Sequence, residues 1–168
     1  EHTPEIKIYS SGDLALEKTF FAYDQGMRNG VNVATGDLNG DGKDEIVTAP
    51  LKGVSPHVRV LSMKGAQLSF NHMVFSEAYK KGVNIAVGDV DGDGRDEIVV
   101  AQADEQAFIK VYEYNGTIIS TFLAYPQDYK HGAVVTTADL NGDGKDEIIT
   151  ATNIGARTHI RSFDKNGN

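Results

Sequence analysis

GDLNGDGKDEIV, residues 36–47, returns as GDVDGDGRDEIV at 88–99 and as ADLNGDGKDEII at 138–149. Numbered from its first acid, each copy carries oxygen donors at positions 1, 3 and 5. These are Asp37, Asn39 and Asp41, then Asp89, Asp91 and Asp93, then Asp139, Asn141 and Asp143. Glycines fall between and after them, at Gly40 and Gly42, Gly92 and Gly94, and Gly142 and Gly144. Lacking a β-carbon, they admit positive φ, so the backbone can curl until alternate side chains face one point. Position 7 is Lys43, Arg95 or Lys145 and can offer only its backbone carbonyl; position 9 is Glu45, Glu97 or Glu147, a carboxylate able to close the shell. A shell of about six or seven hard oxygens suits calcium better than magnesium, which demands an octahedron and keeps its waters. Loops without Cys or His do not suit zinc.

Charge points the same way. Thirteen of the 24 acids lie in these three loops, so each loop repels itself at close range unless a cation sits in it. One calcium ion per loop, three in all, would bring the formal net charge from -8 to about -2. Asp, Asn and Gly are also ordinary turn residues, and a single copy would read as a solvated acidic turn. Three copies with one donor spacing favour a ligand. A helical EF-hand needs glutamate at position 12. Here that position is Thr48, Val100 or Thr150, inside β-branched runs, which excludes it.

Outward from the loops the whole chain repeats. EIKIYSSGD from Glu5, HVRVLSMKG from His57, FIKVYEYNG from Phe108 and HIRSFDKNG from His159 follow at intervals of 52, 51 and 51 residues. They define repeats 5–56, 57–107 and 108–158 and the start of a fourth at 159–168, within one region covering 1–168. Ile6, Val58, Ile109 and Ile160 align, each followed by a cation: Lys7, Arg59, Lys110 or Arg161. Within a repeat, GVNVATG alternates as a half-buried strand does, and EIVTA is the short β-branched run of a strand covered on both faces. HVRVLS and QLSFNHMVF follow, joined at Lys64-Gly65, with equivalents at Ser11-Gly12, Asn115-Gly116 and Asn166-Gly167. Such turns favour the primed hairpin geometry. No window has helical periodicity, which excludes helical solenoids, and a β-helix would repeat over a shorter period. The expectation is an all-β chain of about three β-propeller blades, each of four antiparallel strands. Propellers typically close with about 4–8 blades. The chain therefore reads as an excerpt from a longer array, in preference to two chains completing each other's split blade as a six-bladed homodimer.

The pattern D-x-[DN]-x-D-G-x-x-E followed by IV, with GVNVATGD before it and TAP at Thr48 to Pro50 after it, resembles the FG-GAP repeats of integrin α-subunit propellers and their bacterial FG-GAP/VCBS-like relatives. The likeness spans the chain in three copies. It implies a four-stranded blade with calcium in the loop between its first two strands, in an extracellular or cell-surface module. The ligands it implies are the positions named above. Position 9 is Glu where integrins usually have Asp, Ala49-Pro50 becomes Ala101-Gln102 and Ala151-Thr152, and Gly36 and Gly88 become Ala138. The bacterial branch is the nearer likeness.

A formal net charge of -8, with scattered cations, argues against nucleic acid or an anionic membrane as the main partner. No stretch approaches the ~20 apolar residues of a membrane helix, so no membrane insertion is expected. The absence of cysteine excludes disulfides and thiolate metal sites. His2, His57, His72, His131 and His159 are dispersed and read as packing or surface residues. The aromatic runs FFAY at 20–23, VFSEAY at 74–79 and FLAY at 122–125 read as filling between blades. No catalytic constellation emerges; the acid clusters, 37–45, 89–97 and 139–147, are those of the loops. The expected function is a non-catalytic, calcium-stabilised module that binds a protein or glycan ligand, for example in adhesion. The alternative is the propeller part of a secreted, lyase-like polysaccharide-active enzyme.

Overall fold

A computed structural model of the chain describes residues 3–155 and 157–168; His2 lies outside them. The described residues form strands, turns and loops, with no helix. A two-stranded sheet comes first, β1 (Glu5–Tyr9) with β2 (Leu16–Phe21). A four-stranded meander follows, β3 (Val31–Gly36), β4 (Glu45–Pro50), β5 (His57–Leu61) and β6 (Gln67–Met73). The next repeats it with β7 (Val83–Gly88), β8 (Glu97–Gln102), β9 (Phe108–Tyr112) and β10 (Ile118–Leu123). The last comprises β11 (Ala133–Ala138), β12 (Glu147–Thr152) and β13 (Ile160–Phe163). All pairings within the sheets are antiparallel, and β3–β4, β7–β8 and β11–β12 share one register, ending at Gly36↔Glu45, Gly88↔Glu97 and Ala138↔Glu147.

The second strand of each four-stranded meander is covered on both faces, as its apolar run predicts: Ile46, Val47 and Ala49, then Ile98, Val99, Val100 and Ala101, are buried, whereas in β12 of the last sheet only Ile148 and Thr150 are. The core lies between successive sheets. Phe70, Val58 and Val60 meet Ile98, Val100 and Tyr112, and in the next layer Ile109 and Val111 meet Ile148 and Ala133. The first strands β3, β7 and β11 lie side by side. Asn32 of β3 donates to the Val83 carbonyl at 2.8 Å and to Asn84 Oδ1 at 3.1 Å, and Asn84 donates to the Ala133 carbonyl at 2.8 Å.

Three of the four cations that follow the aligned apolar residues clasp the preceding sheet. Arg59 Nη1 donates to the Ala22 carbonyl at 2.9 Å with its guanidinium 4.7 Å from the Tyr23 ring centroid. Lys110 Nζ donates to the Val74 carbonyl at 2.8 Å over Phe75, and Arg161 Nη1 to the Ala124 carbonyl at 3.0 Å over Tyr125. The aromatic runs therefore sit between sheets, as expected, and they also receive the cations.

The hairpin turns differ from expectation. At Gly65, Gly116 and Gly167 only the glycine has positive φ, and its N–H bonds three residues back, to Ser62, Glu113 and Asp164. Ser62 and Glu113 N–H in turn bond to the Ala66 and Thr117 carbonyls. This is the three-residue turn ending in a left-handed glycine, not a two-residue primed turn. The glycine is also fixed by tertiary contact: a β-carbon here would lie 2.6 Å from Phe20, 2.5 Å from His72 and 2.5 Å from Phe122 of the preceding sheet. The Ser11-Gly12 turn departs further, since its positive φ falls on Leu14.

Candidate metal centre

Each acidic loop joins the first strand of a sheet to the second, and its first aspartate organises it. Asp37 Oδ1 accepts the N–H groups of Gly40 and Asp41 at 2.9 and 3.1 Å, and Oδ2 that of Gly42 at 2.8 Å. Asp89 accepts those of Gly92, Asp93 and Gly94, and Asp139 those of Gly142 and Gly144. Both central glycines of each loop have φ near +80°, the curl their lack of a side chain permits. The N–H groups of Gly144 and Gly142 hold the Asp139 carboxyl below the usual aspartate range. Loop charge is therefore met in part by backbone dipoles, a source of positive potential that counting acids does not reveal.

The acid at position 5 turns onto the backbone as well. Asp41, Asp93 and Asp143 each accept the N–H of the residue two further on, Lys43, Arg95 or Lys145, at 3.0, 2.9 and 2.9 Å. Position 9 opens the second strand. Glu45, Glu97 and Glu147 accept the N–H of Leu38, Val90 and Leu140 at 3.2, 3.0 and 2.9 Å. Glu45 and Glu97 are buried.

Position 3 separates the loops. Asn39 and Asn141 donate their amide nitrogen to Glu45 Oε1 and Glu147 Oε1 at 2.8 and 2.7 Å. In the middle loop an aspartate replaces the amide, and Asp89, Asp91 and Glu97 each bring an oxygen within 4.8 Å of the others. Burial, then the charges of Asp91, Asp89 and Asp93, push Glu97 up to about 8. Three hard oxygens at this spacing can share one cation with bonds of about 2.3–2.6 Å. This cluster fits a divalent metal ion; Asp93 is not part of it. Lys165 Nζ, from the last turn, stands 3.5 Å from Asp91 Oδ2.

A model of the FG-GAP-like repeat matches residues 37–100 and again 89–150, each match running from one acidic loop through the next. The chain belongs to the FG-GAP-like repeat family. No curated protein matches it.

The FG-GAP-like loops touch one another through residues that spacing alone did not single out. Asp96 Oδ2 accepts the Asp37 N–H at 2.8 Å, and its own N–H bonds back to the Asp37 carbonyl at 3.0 Å. Asp146 N–H bonds to the Asp89 carbonyl at 2.8 Å. A β-carbon on Gly36 would stand 2.3 Å from Asp96 Oδ2, and one on Gly88 2.1 Å from Asp146 Oδ2. Both glycines are thus required by an aspartate of the following sheet. Burial raises the Asp96 and Asp146 carboxyls above their ordinary range. The cations at position 7 cover the preceding loop: a β-carbon on Gly40 would stand 3.2 Å from Arg95 Cγ, and one on Gly92 2.9 Å from Lys145 Cε. The signal that could have found these residues was the glycine-to-alanine change at Ala138, where no following sheet presses.

Proposed function

We propose that the chain is a calcium-binding β-propeller module, each sheet one blade, in which a calcium ion in the loop between the first two strands fixes that loop. The observation that carries the reading is the convergence of Asp89, Asp91 and Glu97 in a loop that occurs three times. In the flanking copies, a half-turn of the Asn39 or Asn141 amide would present its oxygen beside Glu45 or Glu147 in place of its nitrogen. The ligands would be the side chains at positions 1, 3, 5 and 9 and the carbonyl of Lys43, Arg95 or Lys145. Position 5 would have to turn from the backbone to join them.

The ion would supply positive charge and a rigid node; every other contact in the loops belongs to the chain. A ligand that binds only the folded state adds about 2.7 kcal/mol at a hundredfold excess over its Kd. Typical domains hold about 5–15 kcal/mol in all, so a few filled loops decide whether the sheets stay stacked. Millimolar calcium outside cells would fill sites that cytosolic calcium leaves empty, which supports an extracellular or cell-surface setting. The role is that of a non-catalytic binding module for a protein or glycan. The exposed final sheet, with Leu140 at 59% and Ile160 at 65% where Leu38, Val90, Val58 and Ile109 are buried, supports a further sheet seated there, from a longer array or from a second copy.

The test is thermal unfolding in millimolar calcium and in excess EGTA. The reading predicts a melting temperature lower by many degrees in EGTA; coincident melts would contradict it.

A further inference from the structure

The end of the molecule opposite the acidic loops has a different character. The three acidic loops, 37–44, 89–96 and 139–146, hold ten acids and three cations. The connections at the other end, 22–30, 51–56, 74–82, 103–107, 124–132 and 153–159, hold six lysines or arginines against five acids, with His131 and His159 among them. A recess of about 590 Å³ opens here where three sheets meet, with Lys52, Lys81, Asn84, His131 and Asn153 in its lining. A second, of about 870 Å³, shares His131 with it and adds Tyr129, Lys130, Arg157 and His159.

These recesses are built on pinned backbone. Gly82 and Gly132 have positive φ, and a β-carbon on Gly132 would stand 2.3 Å from the Ala103 carbonyl carbon. Asn153 Nδ2 donates to the Ala103 carbonyl at 2.7 Å. Tyr79 Oη stands 2.9 and 3.1 Å from the Gly82 and Asp104 carbonyls, which share its one proton, and accepts the Asp104 N–H at 3.2 Å. Glu105 beside it has φ +67°, a conformation that costs a non-glycine residue of the order of 1–3 kcal/mol and persists only where its surroundings impose it. Its carbonyl takes the Gly132 N–H at 2.8 Å.

Cations in this floor outnumber their partners. Lys81 pairs with Asp104 at 3.6 Å, both half-exposed, while Lys52 has no ion-pair partner among the described residues. The other lining groups are chiefly amides, imidazoles and hydroxyls, with Leu51, Ala103 and Ile154 apolar in the first recess and one carboxylate in each, Asp104 in the first and Asp128 in the second, so that each keeps a cation in excess. A peptide gains affinity chiefly by adding along a strand edge or filling an apolar groove; of the residues lining the first recess only Asn84 belongs to a strand, and its side-chain amide is already given to the Ala133 carbonyl. Cations in excess over carboxylates, set among amides, imidazoles and hydroxyls, match a chain that alternates carboxylates with hydroxyls.

We propose that the two adjoining recesses bind a short acidic oligosaccharide, its carboxylates met by Lys52 and Lys81 in one and by Lys130 and Arg157 in the other. This rests on the reading of the chain as a non-catalytic binding module and is independent of the cation at the opposite end. The test is titration of the ¹⁵N-labelled chain with tri-galacturonate in calcium buffer, followed by amide shifts. Saturable shifts at Lys52, Lys81 and His131 are expected. The variant K52A/K81A should bind about tenfold or more weakly with an unchanged melt, and K64A, in a turn at the acidic end, should bind as the parent does. The proposal is overturned by no saturable binding at millimolar sugar, by equal binding of maltotriose, or by shifts confined to the acidic loops. Lysine-dependent binding of oligoglutamate without binding of the sugar would overturn it in favour of an acidic peptide. The shift map needs no variant, so it decides the matter even if K52A/K81A fails to fold. Calcium titration without sugar reads the loops separately.

Discussion

Asp37 and Asp96, 59 residues apart, hold each other by two hydrogen bonds: the Asp37 N–H to the Asp96 carboxylate at 2.8 Å and the Asp96 N–H to the Asp37 carbonyl at 3.0 Å. The first residue of one acidic loop is thus fastened to the eighth of the next, beside Gly36. Replacing Asp96 with Ala should cost about 1–3 kcal/mol, because it leaves the Asp37 N–H without its acceptor. Gly36→Ala should cost at least as much, since its new methyl meets both Asp96 Oδ2 and Val87 Cγ1 at 2.3 Å. Ala138→Gly, at the equivalent position in the last sheet, should shift stability by well under either. Urea unfolding of the three variants checks the order.

The clasp between sheets gives a second contrast. Arg59 reaches the Ala22 carbonyl and the Tyr23 ring, whereas Lys7, its counterpart in the first sheet, makes only a half-exposed ion pair with Glu5 at 3.3 Å. Arg59→Met should destabilise by about 1–3 kcal/mol through loss of the carbonyl's charged donor and the cation–π contact. Lys7→Met should lie within about 0.5 kcal/mol of the parent, as isolated surface pairs do. Equal effects in thermal melts would show that the clasp contributes nothing beyond a surface charge.

Glu97 sets a pH dependence. In the metal-free fold its carboxyl is pushed up to about 8, above its ordinary 4.5, chiefly by burial. The fold therefore favours its neutral form, and that stability is present below pH 4.5 and is lost as pH rises through about 8. In EGTA the parent should lose more stability between pH 5 and 8 than Glu97→Gln does, read by urea unfolding at about four pH values in that window. Cation binding needs the carboxylate, so affinity in this loop should rise over the same window, with proton release near neutrality seen as a buffer-dependent heat.

Much of this fold was legible in the sequence because its determinants are local. The alternation of GVNVATG, the covered run EIVTA and the glycines that curl the loops each act within a dozen residues, and the period of about 51 repeats them. What escaped was set between repeats. The cation after each aligned apolar residue was visible as a pattern, but its carbonyl lies 36 or 37 residues earlier, in the preceding sheet. Asp96 and Asp146 read as two more loop acids, when they fasten one loop to its neighbour. The Asn115-Gly116 turn suggested a primed hairpin from its dipeptide alone, but the turn takes its left-handed glycine under the ring of His72. In the candidate site Asp89, Asp91 and Glu97 of the repeated donor pattern lie together, while Asp41, Asp93 and Asp143 turn to the backbone, a choice made by local N–H groups that spacing does not display.

The central claim is that these loops take up calcium, and isothermal titration of the chelator-stripped chain tests it most directly. The account predicts saturable calcium binding, with one site lost in the variant Asp91→Ala, which breaks the three-carboxylate cluster, while the remaining binding persists. An absence of binding at millimolar calcium, by a chain that is folded under the same conditions, would contradict it.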